Sequence, residues 1–124
     1  MKFSFGGLSR TAHGTVELKQ SQHISRAEFD GMGWVISVPA SAARRRYKEV
    51  LYLPQTPDGA VRAQAGIRYE DQGKVLVREG DVRPGEVKLG GLWALLPTDP
   101  PGKYRLTIFI DGMPVQSTNF LVAD

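Results

Sequence analysis

Tyr104-Arg105-Leu106-Thr107-Ile108-Phe109-Ile110-Asp111-Gly112 reads as a strand that runs straight into a turn. Tyr104, Leu106, Ile108 and Ile110 alternate with Arg105, Thr107 and Phe109, and a period of two places each set on one face of an extended chain. The residue types are largely β-branched or aromatic, which suits a strand. Asp111-Gly112 is a pair that supplies positive φ at both central positions of a type I′ turn. The chain then returns over Met113 to Val122. A register centred on the turn sets Ile108 opposite Val115, Leu106 opposite Ser117 and Tyr104 opposite Asn119. Val115 and Phe120 lie an odd number of positions apart, so a strand burying both changes phase. This predicts a bulge near Ser117-Thr118-Asn119.

Working upstream, Leu96-Pro97-Thr98-Asp99-Pro100-Pro101-Gly102 holds too much proline for a regular element and makes a corner. Glu86 to Leu96 reads as a strand in which Val87 and Leu89 are out of phase with Leu92, Ala94 and Leu96, which predicts a second bulge at Gly90-Gly91. Arg83-Pro84-Gly85 is a turn. Tyr69 to Val75 is a hairpin, with Ile67 and Tyr69 alternating before it and Val75 and Val77 after it. Gly33 to Val38 is a strand stopped by Pro39, and Thr15 to Lys19 is a shorter one. Between them the reading divides. Ser41 as an N-cap, followed by Ala43, Tyr47, Val50 and Leu51, fits a helix. Tyr47 to Leu53, stopped by Pro54, fits a strand. The expectation is a short turn or helix near residues 40–46, a strand after it, and a loop over Pro54 to Gly59.

The chain has 124 residues, which suits one domain over residues 1–124 with a core of its own. Hydrophobic residues make up 41%, the balance of a folded globular chain. Cysteine is absent, so disulfides, thiolate nucleophiles and cysteine-bound zinc are excluded. The formal charge of +3 is mild, far from that of a protein that coats nucleic acid. No apolar run approaches the roughly 18 residues that span a membrane. Met1 to Gly7 has Lys2 but no apolar stretch behind it, so it is not an intact signal peptide. A cytoplasmic protein fits, and so does a periplasmic or secreted one whose leader has been removed. About seven or eight short strands, with turn signals every ten residues or so, make an all-β antiparallel sandwich.

Pro100-Pro101-Gly102-Lys103-Tyr104-Arg105-Leu106-Thr107-Ile108, then Asp111-Gly112, then Phe120-Leu121-Val122, resembles the closing hairpin of bacterial immunoglobulin-like domains. The resemblance implies an immunoglobulin-like sandwich. It also implies a tyrosine-corner role for Tyr104, with the ring in the core and the hydroxyl tied to nearby backbone. Asp99 to Tyr104 is one residue longer than the spacing of that corner. Fold kinship of this kind says little about function.

The densest charge is Arg44-Arg45-Arg46-Tyr47-Lys48. Cations around an aromatic suit phosphates, with Tyr47 stacking on a base, and Lys103, Arg105 and Arg10 are possible extensions. The plainer reading is a solvated segment whose basic residues discourage strand-to-strand aggregation. Trp34 and Trp93 sit inside apolar strands and read as core. Tyr52 and Tyr69 are expected at the surface, where they could form a platform for sugar rings. His13 and His23, with Glu28 and Asp30, lack the tight spacing of a metal site and read as surface residues, so no metal is expected. No nucleophile elbow, phosphate loop or dinucleotide fingerprint occurs. The expectation is therefore a non-enzymatic interaction or structural module without a cofactor, most simply one with a protein partner. Polyanion or nucleic-acid binding through Arg44 to Lys48 and carbohydrate binding through exposed aromatics are the alternatives. Tyr104, Asp111 and Gly112 are structural. Partner identity and oligomeric state are open at this level.

Overall fold

A computed structural model describes residues 2–10, 13–57, 66–96 and 98–124. Asp58 and Gly59 of the expected loop, and Pro97 of the expected corner, lie outside the described residues. The strands are β1 (Phe3–Arg10), β2 (Val16–Gln20), β3 (His23–Ser25), β4 (Gly31–Ser37), β5 (Arg45–Tyr52), β6 (Ile67–Glu70), β7 (Val75–Val82), β8 (Lys88–Ala94), β9 (Gly102–Ile110) and β10 (Met113–Ala123). They form two sheets, one ordered β2-β1-β4-β8 and the other β3-β10-β9-β5-β7-β6. All pairs are antiparallel except β3 with β10. The all-β sandwich read from the sequence is the fold, with ten strands among the described residues. Two of these are hard to see in the sequence. In β1, Gly6-Gly7 interrupts the alternation begun by Phe3 and Phe5. β3 spans only His23–Ser25, and Ile24 is its one buried side chain.

The inward phases of the two sheets meet in one core. Trp34 and Ile36 of β4 face Leu51 of β5 and Leu106 and Ile108 of β9, all 2% exposed or less. Tyr104 is buried as expected, and its ring stacks on Phe120 with centroids 5.4 Å apart. Its hydroxyl donates to the Pro100 carbonyl at 2.6 Å, the backbone tie expected of Tyr104. The preceding corner is held from both sides. The buried Asp99 accepts the Leu96 N–H at 2.9 Å, and the Arg26 guanidinium reaches the Leu96 and Asp99 carbonyls.

At the closing turn, Asp111 (φ 49°) and Gly112 (φ 80°) both take positive φ, as the type I′ reading requires. Asp111 is also tied to the start of β5, its Oδ1 accepting the Arg46 N–H at 2.9 Å and its own N–H donating to the Arg46 carbonyl at 2.8 Å.

Three local expectations are corrected. The bulge in β10 falls at Val115, between Pro114 and Gln116, and not at Ser117-Thr118-Asn119. Proline has no N–H for the ladder, so the pairing breaks beside it. The register then runs Ile108 to Gln116, Leu106 to Thr118 and Tyr104 to Phe120, and Thr118, Phe120 and Val122 share the buried phase without a further shift. β8 has no bulge at Gly90-Gly91: it pairs with β4 without interruption from Ser37–Lys88 to Gly31–Ala94. Its inward phase is Leu89, Gly91, Trp93, and Leu92 simply points out. Residues 40–46 contain no helix. The Ser41 hydroxyl accepts the Ala43 N–H at 3.2 Å, a local turn that competes with helix formation, and β5 begins at Arg45. No helix among the described residues is long and apolar enough to cross a membrane.

Candidate functional site

Strand β5 alternates Tyr47, Glu49 and Leu51 toward the core with Arg46, Lys48, Val50 and Tyr52 toward the outside. This puts a carboxylate in the middle of an apolar row, and Glu49 is 0% exposed. A buried charge is tolerated only when it is paired and hydrogen-bonded. Three donors supply this. The Trp34 indole N–H, from β4, reaches Glu49 Oε1 at 3.1 Å. The Trp93 indole N–H, from β8, reaches the same oxygen at 2.5 Å. The Arg78 guanidinium, from the neighbouring position of β7, reaches it at 2.8 Å. Glu49 thus joins its own sheet to both tryptophans of the opposite sheet.

The second oxygen is different: Glu49 Oε2 is buried and has no hydrogen-bond partner. It lies against Gly91, the inward position of β8 between Leu89 and Trp93. A Cβ at Gly91 would stand 2.8 Å from Oε2 and 2.5 Å from the Trp34 indole nitrogen, so the cluster closes only around glycine.

Arg78 is oriented by several neighbours. It lies over the Trp93 ring at 4.3 Å and donates to the Leu92 carbonyl at 3.0 Å. Its side chain keeps 25% exposure, so one end of the ion pair meets solvent. Tyr47 sets its ring edge-on to Trp34, with centroids 6.3 Å apart. Burial, and then the adjacent Glu49 carboxylate, pushes the Tyr47 hydroxyl above its ordinary value, with Arg78 opposing. Tyr47, Glu49, Arg78, Gly90, Gly91 and Leu92 border a cleft of about 420 Å³ at the β8 edge of the sandwich. The arrangement offers a buried acceptor, a guanidinium, a protonated phenol and an apolar rim.

The residues singled out by sequence are placed as follows. The strand divides the basic cluster between its two faces: Arg45 and Tyr47 lie on the inner side, Arg46 and Lys48 on the outer side, and Arg44 is exposed just before β5. Arg46 pairs with Asp81 at 3.3 Å, and Lys48 lies over the Phe109 ring at 4.7 Å. Arg105 is not with them but stacks on Tyr52 at 4.4 Å. Lys103 is exposed, and the Arg10 side chain is outside the described residues. Tyr52 and Tyr69 are both half-buried and occupy opposite faces of their sheet, so they do not form one platform. Among the described residues no three His, Asp or Glu side chains are grouped for a metal ion. Trp34 and Trp93 are core residues as read, at 1% and 2% exposure.

The sequence reading missed Glu49 and Arg78. The signal was in the phase: Glu49 falls between Tyr47 and Leu51 on the apolar face, and Arg78 between Leu76 and Gly80 on the same face of the next strand.

The outer faces of the two sheets also differ. On the six-stranded sheet, Arg68 is shared between Glu70 (2.9 Å) and Glu79 (3.6 Å), and the Arg46–Asp81, Lys48–Phe109 and Arg105–Tyr52 contacts lie on the same side. On the four-stranded sheet, the outward row contains Leu8, Leu18, Val16, Val35 and Leu92, with Gly33 between Leu8 and Leu92. Val16, Val35 and Leu92 are 53%, 40% and 62% exposed.

Residues 3–123 match the model of a protein family described as the PM0630 beta sandwich domain. No curated protein matches the chain.

Proposed function

The chain belongs to the PM0630 beta sandwich domain family, and from that premise we propose that it is a non-catalytic interaction module that docks a folded protein through the outer face of its four-stranded sheet. The observation that supports this is the contrast between the two outer faces. One is covered for the most part by ion pairs and by cations over rings, with Leu121 its exposed aliphatic residue at 41%. The other leaves Val16, Val35 and Leu92 in water around a glycine-flattened centre. A contiguous apolar patch costs free energy when wetted and gains it when covered by a complementary surface. The immunoglobulin-like kinship belongs to the same proposal, supported by the Tyr104 hydroxyl on Pro100. Polyanion binding through Arg44 to Lys48 has less support, because Arg46 is already paired and Lys48 lies on Phe109.

The test is photo-crosslinking in the native host from a reactive residue at Val35, compared with one at Asn119 on the opposite outer face. The proposal expects a discrete adduct from position 35 only, removed by Leu18→Glu. Equal labelling from both positions, or an adduct indifferent to Leu18→Glu, refutes it.

A further inference from the structure

We propose that the groove between β1 and β10 binds a neutral saccharide chain through side-chain amides. It lies on the side of the sandwich where β2 and β3 are the edge strands. β3 pairs with β10 only from Leu121 to Ala123. Toward the closing turn the two sheets leave an open groove of about 760 Å³ between β1, the segment joining β2 to β3, and β10. That volume suits a short oligosaccharide. The inward row of β10 changes character here. Phe120 is in the core, but Thr118 and Gln116, the next inward positions, are polar. Inward positions of a sandwich ordinarily fill the space between its sheets with apolar side chains, and this row turns polar where the groove opens.

The lining selects the class of ligand. None of the nine residues that border the groove is charged: beside Phe3 and Phe5 they are four carboxamides and three hydroxyls. An ion entering it would give up hydration and find no counter-charge, so an uncharged molecule is favoured. Two of the amides are held in place. Gln22 Nε2 donates to the Thr118 hydroxyl at 3.3 Å, and Gln116 Nε2 donates to the Ser117 carbonyl at 3.4 Å. Among the described residues neither amide makes another bond, so each keeps its carbonyl oxygen and one N–H for a ligand. Vicinal hydroxyls use both, since each donates and accepts. Gln22 is exposed and Gln116 half-buried, so both are within reach from solvent. The half-buried Phe3 offers aromatic surface to the C–H face of a sugar ring, and Phe5 beside it is packed on Phe120 with centroids 4.6 Å apart. An extended peptide finds less to hold. Strand addition needs a run of free backbone on β10, but that edge is broken at Pro114 and Val115 and closed by β3 from Leu121. Between them the Ser117 carbonyl is already taken by Gln116. The groove does not include Val16, Val35 or Leu92, so it is independent of docking through the outer face of the four-stranded sheet.

The experiment is a titration of the full chain with maltohexaose, cellohexaose and the hexamer of N-acetylglucosamine. A heparin hexasaccharide is the charged control, and an uncharged β-strand peptide is the competing class. Side-chain amide signals in nitrogen–proton correlation spectra report binding. Gln116→Leu is the key variant, because it keeps the bulk of a half-buried inward side chain and removes its amide. The expected result is a saturable shift of the Gln22 amide with at least one neutral sugar. Affinity should weaken by about tenfold in Gln116→Leu, the cost of one lost hydrogen bond, and stay unchanged in Leu18→Glu. If Gln116→Leu does not fold, Gln22→Ala carries the test at an exposed position, with a weakening of several-fold expected. No saturation by any neutral sugar overturns the proposal. So does tighter binding of the heparin fragment or of the peptide, or an affinity unchanged in whichever groove variant is folded. A sugar affinity lost in Leu18→Glu also overturns it, by placing the ligand on the docking face.

Discussion

Replacing Glu49 with alanine removes the acceptor that three donors share, and the cost can be worked from the geometry. The indole N–H groups of Trp34 and Trp93 belong to residues 1% and 2% exposed, so water cannot take the place of the carboxylate. Each buried donor left without a partner costs about 1–3 kcal/mol. Arg78, whose side chain is 25% exposed, can turn its guanidinium toward solvent and adds little. The sum is about 2–6 kcal/mol, in line with the roughly 3–5 kcal/mol for removing one partner of a buried ion pair. Against a total stability of about 5–15 kcal/mol, this takes the domain close to unfolding. Glu49→Gln keeps a carbonyl for the donors and loses only the charge on that atom, so it should cost about 1–2 kcal/mol. Urea unfolding followed by far-ultraviolet circular dichroism, with linear extrapolation, measures both. A loss below about 1 kcal/mol for Glu49→Ala refutes the reasoning, because the indoles would then have found other acceptors. Glutamine as costly as alanine would equally refute it, by showing that the acceptor is not what matters.

Other substitutions test neighbouring parts of the account. Gly91→Ala drives a methyl to 2.5 Å from the Trp34 nitrogen and should cost about 1–3 kcal/mol by urea unfolding. Tyr104→Phe removes the 2.6 Å hydrogen bond to Pro100 and should cost about 1 kcal/mol with the fold intact. Gly112→Val forces a β-branched residue to φ 80° and should cost about 1–2 kcal/mol in thermal melts, with Gly112→Asn milder. Tyr47 gives a pH signature. Below the ordinary tyrosine value of 10.0 its hydroxyl is protonated whether the chain is folded or not, and it adds no slope. Above 10.0 the unfolded chain loses the proton first, so stability falls as pH climbs through the raised folded value. Tyr47→Phe should flatten that part of the alkaline arm in urea melts, and an unchanged slope would contradict the assignment.

The sandwich was legible because its closing hairpin carries strong local chemistry: period-two alternation in β9 and a glycine at the second position of the turn. Register was less so. Phase arithmetic showed that β10 must bulge, but Pro114 decides where, since the missing N–H breaks the ladder beside the turn. At Gly90-Gly91 the same arithmetic misled. It treated Leu92 as a residue that must be buried, whereas the inward position is Gly91, vacated for groups from other strands. Glu49 was invisible for a related reason. A lone glutamate in a strand is ordinary until Trp34, Trp93 and Arg78 converge on it, and two of those three come from the other sheet. The basic cluster shows the reverse: it is conspicuous in the sequence, yet strand alternation divides it between two faces.

Hydrogen exchange of the two indole N–H groups, followed by nuclear magnetic resonance at neutral pH, tests most directly whether Glu49 fastens one sheet to the other. Both donate to the same buried oxygen, so the Trp34 and Trp93 signals should be strongly protected, and both should move in Glu49→Gln. Indole protons that exchange freely with water, or that ignore the substitution, would contradict a carboxylate bridge between the sheets.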